Sequence, residues 1–147
     1  KKNISIKNVK FGKNVTIIEP VNLYGCVIGD NSFIGPYVEI QKNVKIGNNC
    51  KIQSHSFICE NTEIGDNCFI GHSVVFVNDK FLNNKILPKD GPFLKTIILD
   101  NVLVGSNATI LPVKIEQNVT IGAGSVVTKD CKKSKIYVGN PANILKK

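Results

Sequence analysis

From Ile28 to Phe76 an apolar residue returns at every sixth position: Ile28, Ile34, Ile40, Ile46, Ile52, Ile58, Ile64, Ile70 and Phe76. The fifth place of the hexad is small or β-branched, filled by Ser32, Val38, Val44, Cys50, Ser56, Thr62, Cys68 and Val74, and glycine is frequent at the second. A period of six matches neither an amphipathic helix nor a plain alternating strand, so each hexad reads as one short strand and a corner. Three hexads make one turn, and equivalent residues of successive turns then stack ~4.8 Å apart, the spacing of strands in a sheet. The expected fold is all-β, a coil of parallel strands around a narrow core of stacked isoleucines.

The phase extends upstream through Phe11, Ile17 and Leu23, with a five-residue step from Leu23 to Ile28. Downstream it stops after Phe76. An extruded loop is expected over about residues 78–97, carrying Lys80, Asn83, Asn84, Lys85, Pro88, Lys89, Asp90, Gly91 and Pro92. Long insertions in repeat folds tend to lie on the binding face. Ile98, Val104, Ile110, Ile115, Ile121 and Val127 resume the core, with a second five-residue step before Ile115. The tail from Ile136 to Ala142 is expected to leave the coil. With 147 residues and one continuous repeat, residues 1–147 read as a single domain.

The net charge of +8 comes from lysine alone, since the chain has no arginine. Base reading and bidentate phosphate clamping favour arginine, and no aromatic residues interleave with the lysines, so nucleic acid is not expected as a partner. The lysine and asparagine content reads as a compositional bias, and the positive field suits small phosphorylated ligands. No charged-then-apolar leader and no long apolar run is present, which points to a cytoplasmic protein without a membrane partner. Cys26, Cys50, Cys59, Cys68 and Cys131 lack metal-binding spacing and read as core thiols, Cys59 beside Glu60 being the one with a neighbourhood that suits reactivity.

Several segments together carry a family resemblance. The hexads, the interrupting loop, Gly105-Ser106-Asn107-Ala108-Thr109-Ile110-Leu111-Pro112, Ile121-Gly122-Ala123-Gly124-Ser125-Val126-Val127 and Gly139-Asn140-Pro141-Ala142 resemble the hexapeptide-repeat acyltransferases. Within them, Gln53 to Glu60, Phe69 to His72 and Phe76 to Asp79 are similar to the N-acetyltransferases of nucleotide-linked 3-amino sugars. The resemblance implies a left-handed β-helix, a homotrimer with sites between subunits, and acetyl-CoA lying along the coils. It also implies acetyl transfer to the 3-amino group of a dTDP-linked 3-amino-3,6-dideoxyhexose for surface-glycan synthesis, or of a UDP-linked relative. For CoA it implies contact with Gly105, Ser106, Ala123 and Gly124, where small residues keep the coil surface low, although small residues also suit tight corners. Lys129, Gly139 and Pro141 become candidate neighbours of the CoA phosphates.

The phase itself points to a site. Glu60 and Asn78 are three full hexads apart, so they stack on neighbouring turns at the root of the loop. A carboxylate and an amide carbonyl accepting from one amine would fix the direction of its lone pair, and the resemblance places these two residues against the sugar amine. His55 and His72, one position short of three hexads apart, occupy the preceding corner of adjacent turns. Either is a candidate base or substrate ligand, and His72 a candidate donor to the thioester oxygen. Asp79 suits a sugar hydroxyl or the start of the loop turn. No nucleophile elbow or Ser-His-Asp arrangement supports a covalent intermediate, so direct attack is expected, with the departing thiolate collecting the proton and a backbone N–H near Gly71 stabilising the oxyanion. Two other classes compete: a metal-dependent anhydrase on a similar coil, which needs three converging histidines where this chain has two, and a non-catalytic scaffold, which needs neither the loop nor the stacked pair. No metal is expected.

Overall fold

The computed structural model describes residues 5–81, 84–88 and 91–146. Asn83, Lys89 and Asp90 of the expected loop lie outside them. Among the described residues every regular element is a strand of two or three residues. The chain visits three sheets in rotation as far as Val126–Val127. The first runs through Asn22–Tyr24, Glu39–Ile40, Phe57–Ile58, Val75–Phe76, Thr109–Ile110 and Val126–Val127; the second through Val27–Ile28, Lys45–Ile46, Thr62–Ile64, Thr96–Ile98 and Lys114–Ile115. The third includes Phe33–Ile34, Lys51–Ile52, Phe69–Ile70, Leu103–Val104, Thr120–Ile121 and Ile136–Val138. The architecture is the expected parallel β-helix, in agreement with the left-handed form that the resemblance implies.

Register shows how the spacing of hexads sets the coil. Phe57 pairs with Glu39 and with Val75, three hexads to either side, while each five-residue step shortens a coil by one position, as in Phe11 with Ile28 and Ile97 with Lys114. The loop enters as a single long coil, with Ile64 paired to Ile98 across nearly twice the usual separation in sequence. The coil resumes at Thr96, so the strand Thr96–Ile98 takes the last residues assigned to the loop.

The predicted inward row is buried from Leu23 onward, with Ile28, Ile34, Ile40, Ile52, Ile58, Ile70, Phe76, Ile110 and Ile115 exposing 0% of their surface, whereas Phe11, on a coil near the open end of the described stack, is 43% exposed and Ile17 is partly buried. Burying one such side chain stabilises by roughly 1.5–3 kcal/mol, enough for a thin prism to hold together without helices. The serines at the fifth position are buried too, and they bridge coils. Ser56 Oγ donates to the Gly71 carbonyl at 2.8 Å and accepts from the Val74 N–H at 3.3 Å.

Two features depart from expectation. Asparagine is abundant because the corners need it: Asn31, Asn43, Asn49, Asn61, Asn67, Asn101, Asn107 and Asn118 all have positive φ, a conformation that asparagine tolerates better than other residues with a Cβ. The tail also does not leave the coil at Ile136. Ile136–Val138 pairs parallel with Thr120–Ile121, and the chain turns back only afterwards, Tyr137 and Val138 pairing antiparallel with Ile144 and Asn143. Tyr137, 7% exposed, takes the inward place and closes the core with an aromatic side chain where the hexads use isoleucine.

All five cysteines are buried and unpaired. Burial pushes the thiols of Cys26, Cys59 and Cys131 up to about 11, so Cys59 is not a thiolate at neutral pH. A thiol-specific chromogenic reagent should label none of the five in the folded protein and all five in denaturant. Rapid labelling of Cys59 alone would restore it as a reactive group.

Candidate functional site

The corner between the first and second sheets carries Glu60 and Asn78. Both follow a strand of the first sheet at the same offset, and coil stacking brings them together: Asn78 Nδ2 donates to the Glu60 main-chain oxygen at 3.4 Å. The Glu60 side chain is 15% exposed, and its Oε1 accepts from Asn43 Nδ2 at 3.3 Å and lies 3.6 Å from Lys42 Nζ. Since the amide nitrogen of Asn78 is spent on a carbonyl, its Oδ1 is left as an acceptor. Among the described residues neither that oxygen nor Glu60 Oε2 meets a donor. The pair therefore offers acceptors.

A cavity of about 470 Å³ opens over this corner, lined by Tyr24, Gln41, Lys42, Phe57, Glu60, Asn78 and Phe93. Phe57 projects outward from the first sheet and Phe93 comes from the returning arm of the loop. The arm is pinned at its root, where Leu94 N–H donates to the Asn78 carbonyl at 3.0 Å and Asn61 Nδ2 to the Phe93 carbonyl at 3.4 Å. Asp79 turns out to serve the loop, its Oδ1 accepting from the Phe81 N–H at 2.8 Å. Sequence reasoning does not pick out Tyr24, Gln41 and Phe93. A usable signal exists for the first two: Tyr24 and Gln41 each directly follow an inward residue of the first sheet, Leu23 and Ile40, which pair with each other on the coils preceding Glu60.

The loop's return is held electrostatically as well. Glu63 bridges Lys95 at 3.0 Å and Lys45 at 3.3 Å. The hydrogen bond from Lys95 is the main cause that holds the Glu63 carboxyl below the usual carboxylate range, against the opposing effect of desolvation. A carboxyl with a lowered folded-state pKa stabilises above its unfolded pKa, near ~4.3, and loses that contribution as pH falls through the folded value. The Tm gap between wild type and Glu63→Gln should therefore be present at neutral pH, small because the pair is surface-exposed, and should close on acidification. A gap that widens below about pH 4 would contradict this assignment.

The histidines lie elsewhere, at the corner between the third and first sheets. His55 has φ +64° and stacks on Tyr37, ring centroids 4.8 Å apart. His72 is exposed on the adjacent coil, its Nδ1 3.5 Å from Ser106 Oγ. Above them along the same corner come Gly105, Ser106, Ala123 and Gly124. A Cβ at Gly105 would meet the Ala123 backbone nitrogen at 2.5 Å, so the coil itself demands that glycine; one at Gly124 would meet nothing within 4 Å, which leaves a bare ledge. Gly139 and Pro141 join this ledge: Gly139 N–H donates to Ser125 Oγ at 3.1 Å and Ala142 N–H to the Val126 carbonyl at 2.8 Å. Lys129, exposed, follows Val126–Val127 and lies on the other corner, away from the ledge.

The expected oxyanion donor near Gly71 is corrected by the hydrogen bonding. The Gly71 N–H donates to the Val104 carbonyl at 2.8 Å, that of His72 to Ser106 Oγ at 3.2 Å and that of Ser73 to the Ser54 carbonyl at 3.0 Å. These groups are committed to the ladder because every coil stacks on the next.

Among the described residues no group of three or more His, Cys, Asp and Glu side chains is placed to hold a metal ion, and no helix is long and apolar enough to cross a membrane.

Residues 25–60 match the family model for bacterial transferase hexapeptide (six repeats), and residues 61–77 and 95–129 that for the hexapeptide repeat of succinyl-transferase. The bifunctional protein GlmU of Streptococcus uberis is 36% identical over 136 residues, 90% of this chain and 30% of the relative. The chain thus spans about a third of the length of the curated relatives it matches. Among solved structures, a point mutant of AntD, an N-acyltransferase from Bacillus cereus in complex with dTDP and coenzyme A, superposes with a TM-score of 0.77 at 25% identity, over 93% of this chain and 82% of that one. The hexapeptide-repeat acetyltransferase VCA0836 of Vibrio cholerae, complexed with acetyl coenzyme A, gives 0.68 at 26% identity, over 83% and 70%. The two family models continue each other along the same coils that carry the stacked isoleucines, and the chain belongs to the hexapeptide-repeat family of bacterial transferases.

Proposed function

We propose that the protein transfers an acetyl group from acetyl-CoA to the 3-amino group of a dTDP-linked 3-amino-3,6-dideoxyhexose. The observation that carries this reading is the polarity of the Glu60–Asn78 pair. Two open acceptors, Glu60 Oε2 and Asn78 Oδ1, suit a group with several N–H bonds and suit a hydroxyl, with its single proton, less well. A carboxylate in the cavity also favours binding the acceptor as an ammonium ion. The likeness to AntD, an N-acyltransferase solved with dTDP and coenzyme A, supports the carrier and the acyl donor.

In this reading the bound ammonium first releases one proton to solvent, and Glu60 and Asn78 hold the resulting amine so that its lone pair faces the thioester carbon. A nitrogen–carbon bond forms, the carbon–sulfur bond breaks, and the proton lost by the amine passes to the departing thiolate. The ledge of Ser106, Ala123 and Gly124 is the place for the pantetheine arm, and His72 and Ser106 beside it are the side-chain donors nearest to the thioester oxygen. Both act by orientation and charge stabilisation.

The acceptor corner and the ledge are successive corners of the coil, a hexad apart from His72 to Asn78. One chain does not close them over each other. A neighbouring copy does, if its ledge meets this chain's cavity, and the outward rows of the first and third sheets provide apolar surface for that contact, with Val75 39%, Leu103 48% and Ile136 44% exposed. The protein should therefore be a trimer by light scattering; a fully active monomer would remove the shared site.

The deciding experiment follows acetyl-CoA consumption against a panel of dTDP- and UDP-linked 3-amino and 4-amino sugars, glucosamine phosphates and serine. Turnover confined to a 4-amino sugar, a phosphate sugar or serine would refute the assignment.

A further inference from the structure

The cavity is longer than an amine requires. Its lining residues come from four successive coils: Tyr24, then Gln41 and Lys42, then Phe57 and Glu60, then Asn78. At ~4.8 Å per coil this spans roughly 14 Å along the axis. The loop end, at Glu60 and Asn78, offers acceptors. The opposite end has a different character, which rests on one immobilised amide.

Both ends of the Gln41 side chain are engaged. Its Oε1 accepts from the Glu60 N–H at 3.1 Å and its Nε2 donates to Glu39 Oε1 at 3.1 Å, while Glu39 Oε2 accepts from Asn22 Nδ2 at 3.1 Å. Tyr24, half-buried, lines the cavity beside this fixed amide. Burial, and then the negative charges of Glu39 and Glu60, raise the Tyr24 pKa above its ordinary value, the polar side chain of Gln41 opposing them. The phenol thus keeps its proton throughout the neutral range. Lys42, the other cationic or hydroxylic donor in the lining, is ion-paired with Glu60 at 3.6 Å. The Tyr24 O–H is the donor left at the far end.

We propose that Tyr24 is a specificity-determining residue, donating its hydroxyl proton to the oxygen of the sugar hydroxyl that neighbours the reacting amine on the side facing away from the loop. The inference rests on the reading of this cavity as the acceptor site. It gives the cavity a two-point match: acceptors at the loop end for the amine, and on the other side a donor for the hydroxyl beside it. Tyr24→Phe removes one oxygen and keeps the ring, so packing against the coil is preserved.

The test compares kcat/KM for the dTDP-linked 3-amino-3,6-dideoxyhexose with that for its 2-deoxy and 4-deoxy analogues, in wild type and Y24F, with thermal melts of both proteins. Wild type should lose about tenfold on one of the deoxy analogues, the size of a single neutral hydrogen bond. Y24F should lose about the same on the parent sugar, chiefly in KM, and should no longer distinguish that analogue from the parent. Y24F with undiminished discrimination, or a wild type that turns over the parent and both analogues equally well, would overturn the role of Tyr24 while leaving the acetyltransferase reading intact. A wild type that acetylates none of the three, yet is active on another class of acceptor, would overturn that reading and this inference together.

Discussion

Glu60→Ala and Asn78→Ala will each lower turnover of the amino sugar by roughly a hundredfold or more, about the ~2.7–4 kcal/mol attached to one preorganised polar contact of an active site. Each substitution removes one of the two acceptors that, in the proposed reading, orient the amine. Neither should unfold the chain: Glu60 and Asn78 project from a corner, and the ladder bonds of their coils are made by backbone. Glu60→Ala also releases Lys42 and Asn43, and Asn78→Ala loosens the loop root by one long hydrogen bond, so small losses in Tm are expected with the large losses in rate. His55→Asn and His72→Asn should be milder, because the departing thiolate can collect the proton. If a histidine were the general base, the order would reverse and one variant would lose the limb of the pH–rate profile near the imidazole pKa. Near-normal activity in both Glu60→Ala and Asn78→Ala would move the amine elsewhere.

The largest effect on stability is expected at Phe76. It is fully buried, stacked between Ile58 and Ile110 on the coils to either side. Phe76→Ala should cost ~3–5 kcal/mol, towards the upper end, because truncation leaves a cavity that neighbouring coils cannot fill while the parallel ladder fixes their spacing. Lys51→Ala, on an outward position of the third sheet, should stay within about 0.5 kcal/mol. Urea denaturation at one protein concentration would measure both, and a loss below about 1 kcal/mol for Phe76→Ala would mean that the coils move together after all.

The fold was legible because a hexad admits few structures. Ile28 to Phe76 specify the inward row, and the five-residue steps at Leu23 and Ile110 foretell two of the shortened coils, whereas the short spans from Ile6 to Leu23 and from Thr120 to Ile136 carry no such signal. Glu60 and Asn78 were legible for the same reason, since both keep the full period. Tyr24 and Gln41 were not: the shortened coil between Leu23 and Ile28 puts them one position out of the regular period, and their importance appears only when the Gln41 amide is seen tied to Glu60 and Glu39. Phe93 depends on how the loop closes, a long-range event with no local signature. Tyr137 was hidden because its coil is shortened by two positions, Ile121 pairing with Tyr137, so a six-residue count from Val127 misses it. The free oxyanion donor near Gly71 was a misreading of another kind, since a coil stacked on both sides leaves few backbone groups unspent.

The loop leaves and re-enters the coil through two adjacent points. Its two ends are hydrogen-bonded to each other, Leu94 N–H donating to the Asn78 carbonyl, and Ile64 and Ile98 pair across the break in the same register as any other coil. The prism is therefore indifferent to how much chain hangs between those points. Doubling the length of such an excursion costs only ~0.6 kcal/mol of closure entropy. A longer or shorter segment between those points should therefore change the roof that Phe93 provides while Glu60 and the isoleucine column beneath stay where they are.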